Sequence, residues 1–426
     1  MSSRIEAGAN RTRLTSPITM DSLSSGLMRR AARAFANKVE YGPLTIGLPD
    51  GDELVVHGKQ RAVPEAAGAR IDFRRARGAI RMVAGGAMGF SQGYVDGDWD
   101  TPDLTAMFAL ITQNEQALDS ELRDYSPASF LNRVRHLRHL ARPNTRTGSR
   151  SNISQHYDLG NEFYRLWLDD EMTYSSALFA DPAHPVERLE EAQRAKYRRL
   201  AEALGLRPGM HVLEIGCGWG GFAEIAAREF GCRVTAITVS QAQYEYARAR
   251  IDRAGLAEAV EIRFEDYRDV DGTYDRIASI EMLEAVGERY WPQYLRVVED
   301  RLAPGGLAGI QVITIEDKRF EAYRRGADFI QTYIFPGGML PSPAALDTAV
   351  RECGFVIDDT FTFGASYAET LAQWRARFEA AWPHIAPQGF DDRFRRIWRF
   401  YLAYSEAGFR SGAIDVGQFV LRRRTD

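Results

Sequence analysis

At 426 residues the chain is long enough for two or three domains, each with its own core. Hydrophobic residues make up 45% and charged residues 26%, as in an ordinary globular protein, and a net charge of −4 speaks against a nucleic-acid binder. Three cysteines (Cys217, Cys232 and Cys353) without a C-x-x-C pair, and seven histidines without ligand spacing, point to a reducing compartment and away from a disulfide or metal framework.

No apolar run approaches the ~20 residues that span a bilayer. Residues 1–20, with Arg4, Arg11 and Arg13 among Ser, Thr and Pro, lack a signal-peptide core and read as a disordered lead. Ser22 to Ala36 is helix-like. Leu27, Met28, Ala31, Ala32 and Phe35 share one face, which suits either a packed entry helix or a membrane-surface helix. Leu44–Ile46, Glu53–Val56 and Ile71–Phe73 read as strands, Gly93–Asp100 as turns and Pro102–Thr112 as a helix. Together they make a small α+β domain over 21–125. A basic linker follows over 126–150, where six arginines and two histidines stand without an acid between 130 and 150. It is either solvated or drawn to an anionic phospholipid surface.

From about 185 the pattern alternates. A helix carrying Leu189, Ala192, Leu200 and Leu204 stops at Gly205. Strands follow over 210–215, 233–238, 259–263, 274–279 and 306–315, with helices near 221–230, 241–254 and 289–302. Repeated βα units predict a parallel sheet covered on both faces. The rhythm breaks over 316–345, a charged and aromatic stretch containing Pro336-Gly337-Gly338 that reads as a lid or binding wall. Strands are expected again at 354–361 and 415–423.

The run Val212 to Ala223 places a short strand, then glycines, then a helix start, where backbone N–H groups and a positive dipole end await a ligand. Gly216, Gly218 and Gly221 satisfy the dinucleotide pattern G-x-G-x-x-G. Glu214, Gly216, Gly218 and Gly220 satisfy the E-x-G-x-G-x-G loop of S-adenosylmethionine (SAM) methyltransferases. The next strand ends in Thr238-Val239-Ser240 with no carboxylate for ribose hydroxyls, which weakens both readings. Glu214, Gly220 and the acids Glu265-Asp266, placed to accept from an adenine amino group, favour SAM over a nicotinamide cofactor.

Further motifs make the chain resemble the cyclopropane-fatty-acyl-phospholipid synthases and their mycolic-acid relatives over roughly residues 85–422. They are Ser151 to Asn161, Thr173 to Phe179, Thr238 to Gln243, Asp266-Tyr267-Arg268, Ile334 to Gly338 and Phe363 to Tyr367. The resemblance implies an α/β class I SAM-methyltransferase fold over 151–426. That fold is a doubly wound, mostly parallel sheet with its last strand antiparallel, an acyl-binding insertion near 316–345 and a smaller lipid-engaging N-terminal α+β domain. It implies that Tyr174, Ser175, Gly216, Gln243 and Asp266 contact SAM, alongside Glu214, Gly218, Gly220, Thr238, Ser240 and Glu265 of the same loops, and that no metal takes part.

The implied chemistry is one-carbon transfer to a cis double bond of a phospholipid acyl chain through a carbocation. Water must be excluded, and aromatic faces such as Tyr290, Trp291, Phe329, Tyr333, Phe335, Tyr367, Trp374, Phe400, Tyr401 and Tyr404 are candidates to stabilise the cation. A base then takes a proton. Loss from the added methyl closes a cyclopropane; loss from a neighbouring chain carbon gives a methyl- or methylene-branched chain. In ring-forming relatives a bicarbonate held by a cysteine, a Glu-His pair, a further histidine and a tyrosine is the base. Here Glu284 and Tyr367 are present, but the cysteine is Ser176, the pair's histidine is Ala285 and the strand histidine is Gln311. Glu281 stands where the relatives carry glycine, and a second carboxylate beside Glu284 would repel bicarbonate. The expected base is therefore Glu281 or Glu284, unless Glu281 points outward or pairs with an arginine, and a branched product is favoured over a ring. A saturated branch would need a reductase partner. A homodimer stays open, and the expected location is cytoplasmic, on the inner membrane face. The alternatives are a small-amine N-methyltransferase and a non-catalytic lipid-binding protein that retains the fold.

Overall fold

The computed structural model describes residues 29, 39–114 and 159–424. The expected lead, the 22–36 helix apart from Arg29, the basic linker and residues 151–158 of the first motif lie outside them.

The N-terminal part opens with β1 (Tyr41–Gly42), β2 (Leu44–Gly47), β3 (Glu53–Val56), β4 (Gln60–Arg61) and β5 (Arg70–Phe73). It continues through α1 (Ala76–Val95), β6 (Trp99–Asp100) and α2 (Leu104–Gln113). A four-stranded sheet in the order β3-β2-β5-β6 turns Leu44, Ile46, Ile71 and Phe73 inward. Where turns were expected over 93–100, α1 continues to Val95 and β6 follows. This helix breaks at Gly86 (φ 55°, ψ −141°), and its halves fold so tightly that a Cβ at Gly89 would lie 1.8 Å from the Arg81 carbonyl oxygen. The α2 helix starts at Asp103, whose side chain accepts from the N–H groups of Thr105 and Ala106.

The larger part contains α3 (Asn161–Arg165), α4 (Leu189–Ala203), β7 (His211–Ile215), α5 (Gly221–Arg228), β8 (Arg233–Thr238), α6 (Gln241–Arg253) and β9 (Val260–Phe264). Next come β10 (Tyr274–Ile280), α7 (Leu283–Val286), α8 (Trp291–Arg301) and β11 (Leu302–Ile315). The expected 316–345 insertion forms α9 (Asp317–Arg324), α10 (Phe329–Tyr333) and the approach to α11 (Pro343–Glu352). The chain ends through β12 (Phe355–Thr362), α12 (Gly364–Ile385), α13 (Asp392–Arg410) and β13 (Ile414–Arg423). Seven strands order as β12-β13-β11-β10-β7-β8-β9, and β13 alone runs antiparallel to its neighbours. This is the doubly wound, mostly parallel α/β sheet expected of a class I methyltransferase, and the central β7 is buried on both faces, as parallel sheets are.

The two parts share one core. Helices α1 and α2 pack on α13, and Phe90, Phe108 and Phe400 cluster there with centroids 5.0–6.4 Å apart. Arg396 of α13 lies 4.0 Å over the Tyr94 ring and donates to the carbonyls of Tyr94 (2.5 Å) and Trp99 (2.8 Å). Among the described residues no helix is long and apolar enough to cross a membrane, and no cluster of His, Cys, Asp and Glu could hold a metal.

Candidate active site

Strand β7 delivers the glycine loop to the carboxyl edge of the sheet, where α/β folds bind ligands. Gly216, Gly218 and Gly220 have φ of 80°, 53° and 86°. A Cβ at Gly216 would lie 2.8 Å from Cγ of Met282. The loop floors a cavity of about 140 Å³, and Tyr174, Ser175, Glu214, Gly216, Gly218, Thr238, Gln243, Glu265 and Asp266 all stand on its wall. Gly220 and Ser240 do not line it. Gly220 is the left-handed N-cap of α5 and closes on Ala247, and Ser240 caps α6 by accepting from the Gln243 N–H.

The polar groups of this cavity fit an adenosyl ligand. Thr238 donates to Oε1 of Gln243 at 2.9 Å, which fixes the glutamine where the strand-end acid was missed. Glu214 is buried with Oε2 unpartnered, and burial raises its pKa to about 8, so it holds a proton at neutral pH. Asp266 takes a bidentate pair from Arg268, both bonds at 2.7 Å, so the acid expected to meet the adenine is itself held in place.

A second cavity, of about 960 Å³, is apolar and lies between the two parts of the chain. Its walls come from the N-terminal sheet (Leu44, Ile46, Ile71, Phe73), α1 (Met82, Met88, Phe90), the 316–345 insertion (Tyr323, Phe329, Ile330, Phe335) and α13 (Phe400, Tyr401, Tyr404). Of the ten aromatic candidates, Phe329, Phe335, Tyr367, Phe400, Tyr401 and Tyr404 face it. Tyr290, Trp291, Tyr333 and Trp374 do not; Trp291 is spent in the sheet core, its indole donating to the Leu283 carbonyl. Tyr174, Glu281 and Ala285 stand on the walls of both cavities.

Glu281 is therefore at the junction. It follows β10 with φ 52°, a left-handed backbone that non-glycine residues adopt at a cost of ~1–3 kcal/mol. Its backbone N–H donates to the Gln311 carbonyl at 2.8 Å. Oε1 accepts from the Ser176 N–H (2.9 Å) and the Gln311 amide (2.8 Å), and Oε2 accepts from the Tyr367 hydroxyl (2.6 Å). Neither an outward orientation nor an arginine partner describes it. Burial pushes its pKa up, while Lys196 and the three donors pull it down. Gln311 is fixed in turn by Gln418, which donates to Gln311 Oε1 and to the Lys196 carbonyl, both at 3.1 Å. Ser176 serves through its backbone; its hydroxyl turns to the Ala177 carbonyl at 2.9 Å.

Glu284, one turn on, faces the apolar cavity. Oε1 accepts from the Ile313 N–H at 2.5 Å, and Oε2 is buried without a partner. Burial and then the neighbouring Glu281 raise its pKa to about 8. The structure thus gathers all five expected catalytic residues, with Glu281 at the centre and Glu284 beside it.

Sequence reasoning did not single out Lys196, Gln193 or Gln418. A signal existed for Lys196: it falls four residues after Ala192 and four before Leu200, a charge inside the apolar stripe of α4. Gln418 sits on β13 and meets the site only through strand pairing.

Residues 144–419 match the family described as mycolic acid cyclopropane synthetase. The chain is 42% identical over 354 residues to the tuberculostearic acid methyltransferase UfaA1 of Mycobacterium tuberculosis, covering 81% of each chain. It is 36% identical over 345 residues to the cyclopropane-fatty-acyl-phospholipid synthase of Escherichia coli K12, covering 80% of this chain and 85% of that one. Among solved structures it resembles the mycolic acid cyclopropane synthase CmaA1 complexed with SAH and CTAB. There the TM-score is 0.60 at 30% identity, over 64% of this chain and 98% of that one.

Proposed function

The chain belongs to the mycolic acid cyclopropane synthetase family, and from that premise we propose that it adds a one-carbon unit to the cis double bond of a phospholipid acyl chain, with Glu281 as the base and a branched chain as the product. It is a SAM-dependent methyltransferase that modifies lipid chains, as its relatives are. The observation that carries the finer reading is the Glu281 carboxylate, held by Ser176, Gln311 and Tyr367 where the two cavities meet.

The glycine loop, Gln243 and Asp266 would hold SAM, whose electrophilic methyl would pass to the double bond as the S–CH3 bond breaks, releasing S-adenosylhomocysteine and leaving the positive charge on the chain one carbon away. The apolar cavity excludes water from that cation. The faces of Phe335, Tyr401 and Tyr367 stabilise it by ~0.5–2 kcal/mol each. Glu281 then accepts the proton; its loss from a neighbouring chain carbon leaves a branched alkene. Saturating that alkene would require a separate reductase. Glu281 fills with its own carboxylate the place that an anion takes in ring-forming relatives, so bicarbonate has no role.

The lipid enters from a membrane surface at the first half of α1. Ile80 and Val83 are 55% and 60% exposed there, and Met82, Val83 and Gly85 continue into the apolar cavity. Arg74, Arg77 and Arg81 pair Asp100, Asp98 and Asp96, and Arg74 and Arg77 are the more exposed members of their pairs, which suits anionic lipid.

Mass spectrometry of phospholipids from cells expressing the chain tests the reading. The expected product gains one methylene and still reacts as an alkene. A product that gains a methylene and has lost alkene reactivity without reduction is a ring, and overturns it.

A further inference from the structure

Among the described residues Lys196 is the buried lysine, with no exposed surface. Nothing in the chemistry above uses it. Its Nζ donates to the hydroxyl of Ser175 at 2.5 Å. Three residues earlier on the same face of α4, Gln193 donates to the Ser175 carbonyl at 2.8 Å. Helix α4 therefore grips Ser175 by both its side chain and its backbone. The next N–H along the chain is that of Ser176, which donates to Oε1 of Glu281. The Lys196 carbonyl accepts from Gln418, which also holds Gln311, the second donor to the same oxygen. Both arms that hold Oε1 of Glu281 thus trace back to one residue of α4.

The charges point the same way. Burial lowers the Lys196 pKa to about 8, while Glu281 after β10, Asp169 from the loop after α3 and Glu214 from β7 face it and favour its charged form, so at neutral pH it is the cation among them. Glu281 is faced by Lys196, by the Tyr367 phenol of α12 and by Glu284 of α7. Glu214 and Glu284 are both raised to about 8 by burial and Asp169 only to about 6, so near neutral pH the ionised carboxylates facing Lys196 are Asp169 and Glu281.

We propose that Lys196 is the positioning residue of the base, holding the Tyr174–Ser176 turn on Glu281 and supplying the buried countercharge that keeps Glu281 ionised. This rests on Glu281 being the base. A base that is buried without a cation would sit protonated over part of the working range and could accept nothing. The ammonium acts through Ser175 and through space, without touching the lipid.

The test compares Lys196→Met, Lys196→Gln, Lys196→Arg and Glu281→Gln in the full chain. The readouts are kcat, KM for SAM and for lipid, the pH profile of kcat, and S-adenosylhomocysteine affinity by calorimetry. Lys196→Met is expected to lower kcat about tenfold or more at neutral pH. The acid limb of its profile should move up by about one pH unit, because the ionised form of Glu281 loses its opposite charge. Lys196→Arg should bring the limb back. If Lys196→Met fails to fold by circular dichroism, Lys196→Gln, which keeps a donor for Ser175, carries the same expected shift. A folded Lys196→Met or Lys196→Gln variant whose acid limb stays in place overturns the inference. Near-parental activity in Glu281→Gln overturns the base assignment itself, so the two failures are distinguishable.

Discussion

The hydroxyl of Tyr367 donates to Oε2 of Glu281 at 2.6 Å, joining α12 to the end of β10 across 86 positions of sequence. Because the bond serves the ionised carboxylate, it lowers the proton affinity that burial raises. Tyr367→Phe removes the bond and keeps the ring. We expect kcat to fall about 10- to 100-fold, matching the ~1.5–3 kcal/mol of a hydrogen bond to a charged group. The acid limb of the pH profile should rise. A variant with lower kcat and an unmoved limb would show that Tyr367 acts only by packing.

Glu281→Gln keeps the shape of the side chain and removes its basicity. Its rate should drop by roughly 10²- to 10⁴-fold, the usual contribution of a general base. Added bicarbonate should leave the unmodified enzyme unchanged; strong stimulation would contradict a built-in base. Glu281→Gly clears space for a small carboxylate and should regain part of the rate with formate or bicarbonate.

The pH dependence of stability reports on Glu284. Its folded pKa, about 8, stands above the ordinary 4.5. Between these values the native state binds a proton that the unfolded chain has released. The group's contribution is whole below the lower value and is lost as pH rises through the upper one. Glu284→Gln removes this slope, so its Tm should gain on that of the parent between pH 5 and pH 8 in calorimetry. A constant difference would mean that Glu284 is not held protonated.

Gly216→Ala forces a Cβ to 2.8 Å from Met282 at a residue with φ 80°. Strain of ~1–3 kcal/mol is expected, with weaker binding of S-adenosylhomocysteine. Lipid binding, read by detergent or fatty-acid displacement, should hold, because neither Gly216 nor Met282 lines the apolar cavity.

Ile80→Asp with Val83→Asp should abolish binding to vesicles containing anionic lipid and turnover of lipid within them. Turnover of the same lipid dispersed in detergent should persist. Equal loss in both formats would assign α1 a structural role rather than a surface one.

The sheet was legible because parallel strands are short apolar runs between helices, and the glycine loop because its backbone demands glycine. The strand ends from His211 to Ile280 fall within a residue or so of expectation. The two long helices α12 and α13 were not anticipated. Pro383 interrupts the sequence signal of the first, and the second mixes arginines with aromatics that snorkel into the core. Glu281 stood out by its type and position, but its partners are 30 to 105 residues away, joined only by tertiary packing. The apolar stripe of α4 marks Lys196 as inward-facing, but its partner Ser175 lies 21 residues away and is set by tertiary packing.

With Glu281 as the proposed base, the acceptor is part of the polypeptide and is held by a backbone at φ 52°, so its effective concentration at the reacting carbon is set by the fold. On that proposal, turnover should stay constant as carbon dioxide tension falls, where an enzyme that borrows its acceptor from solution would slow.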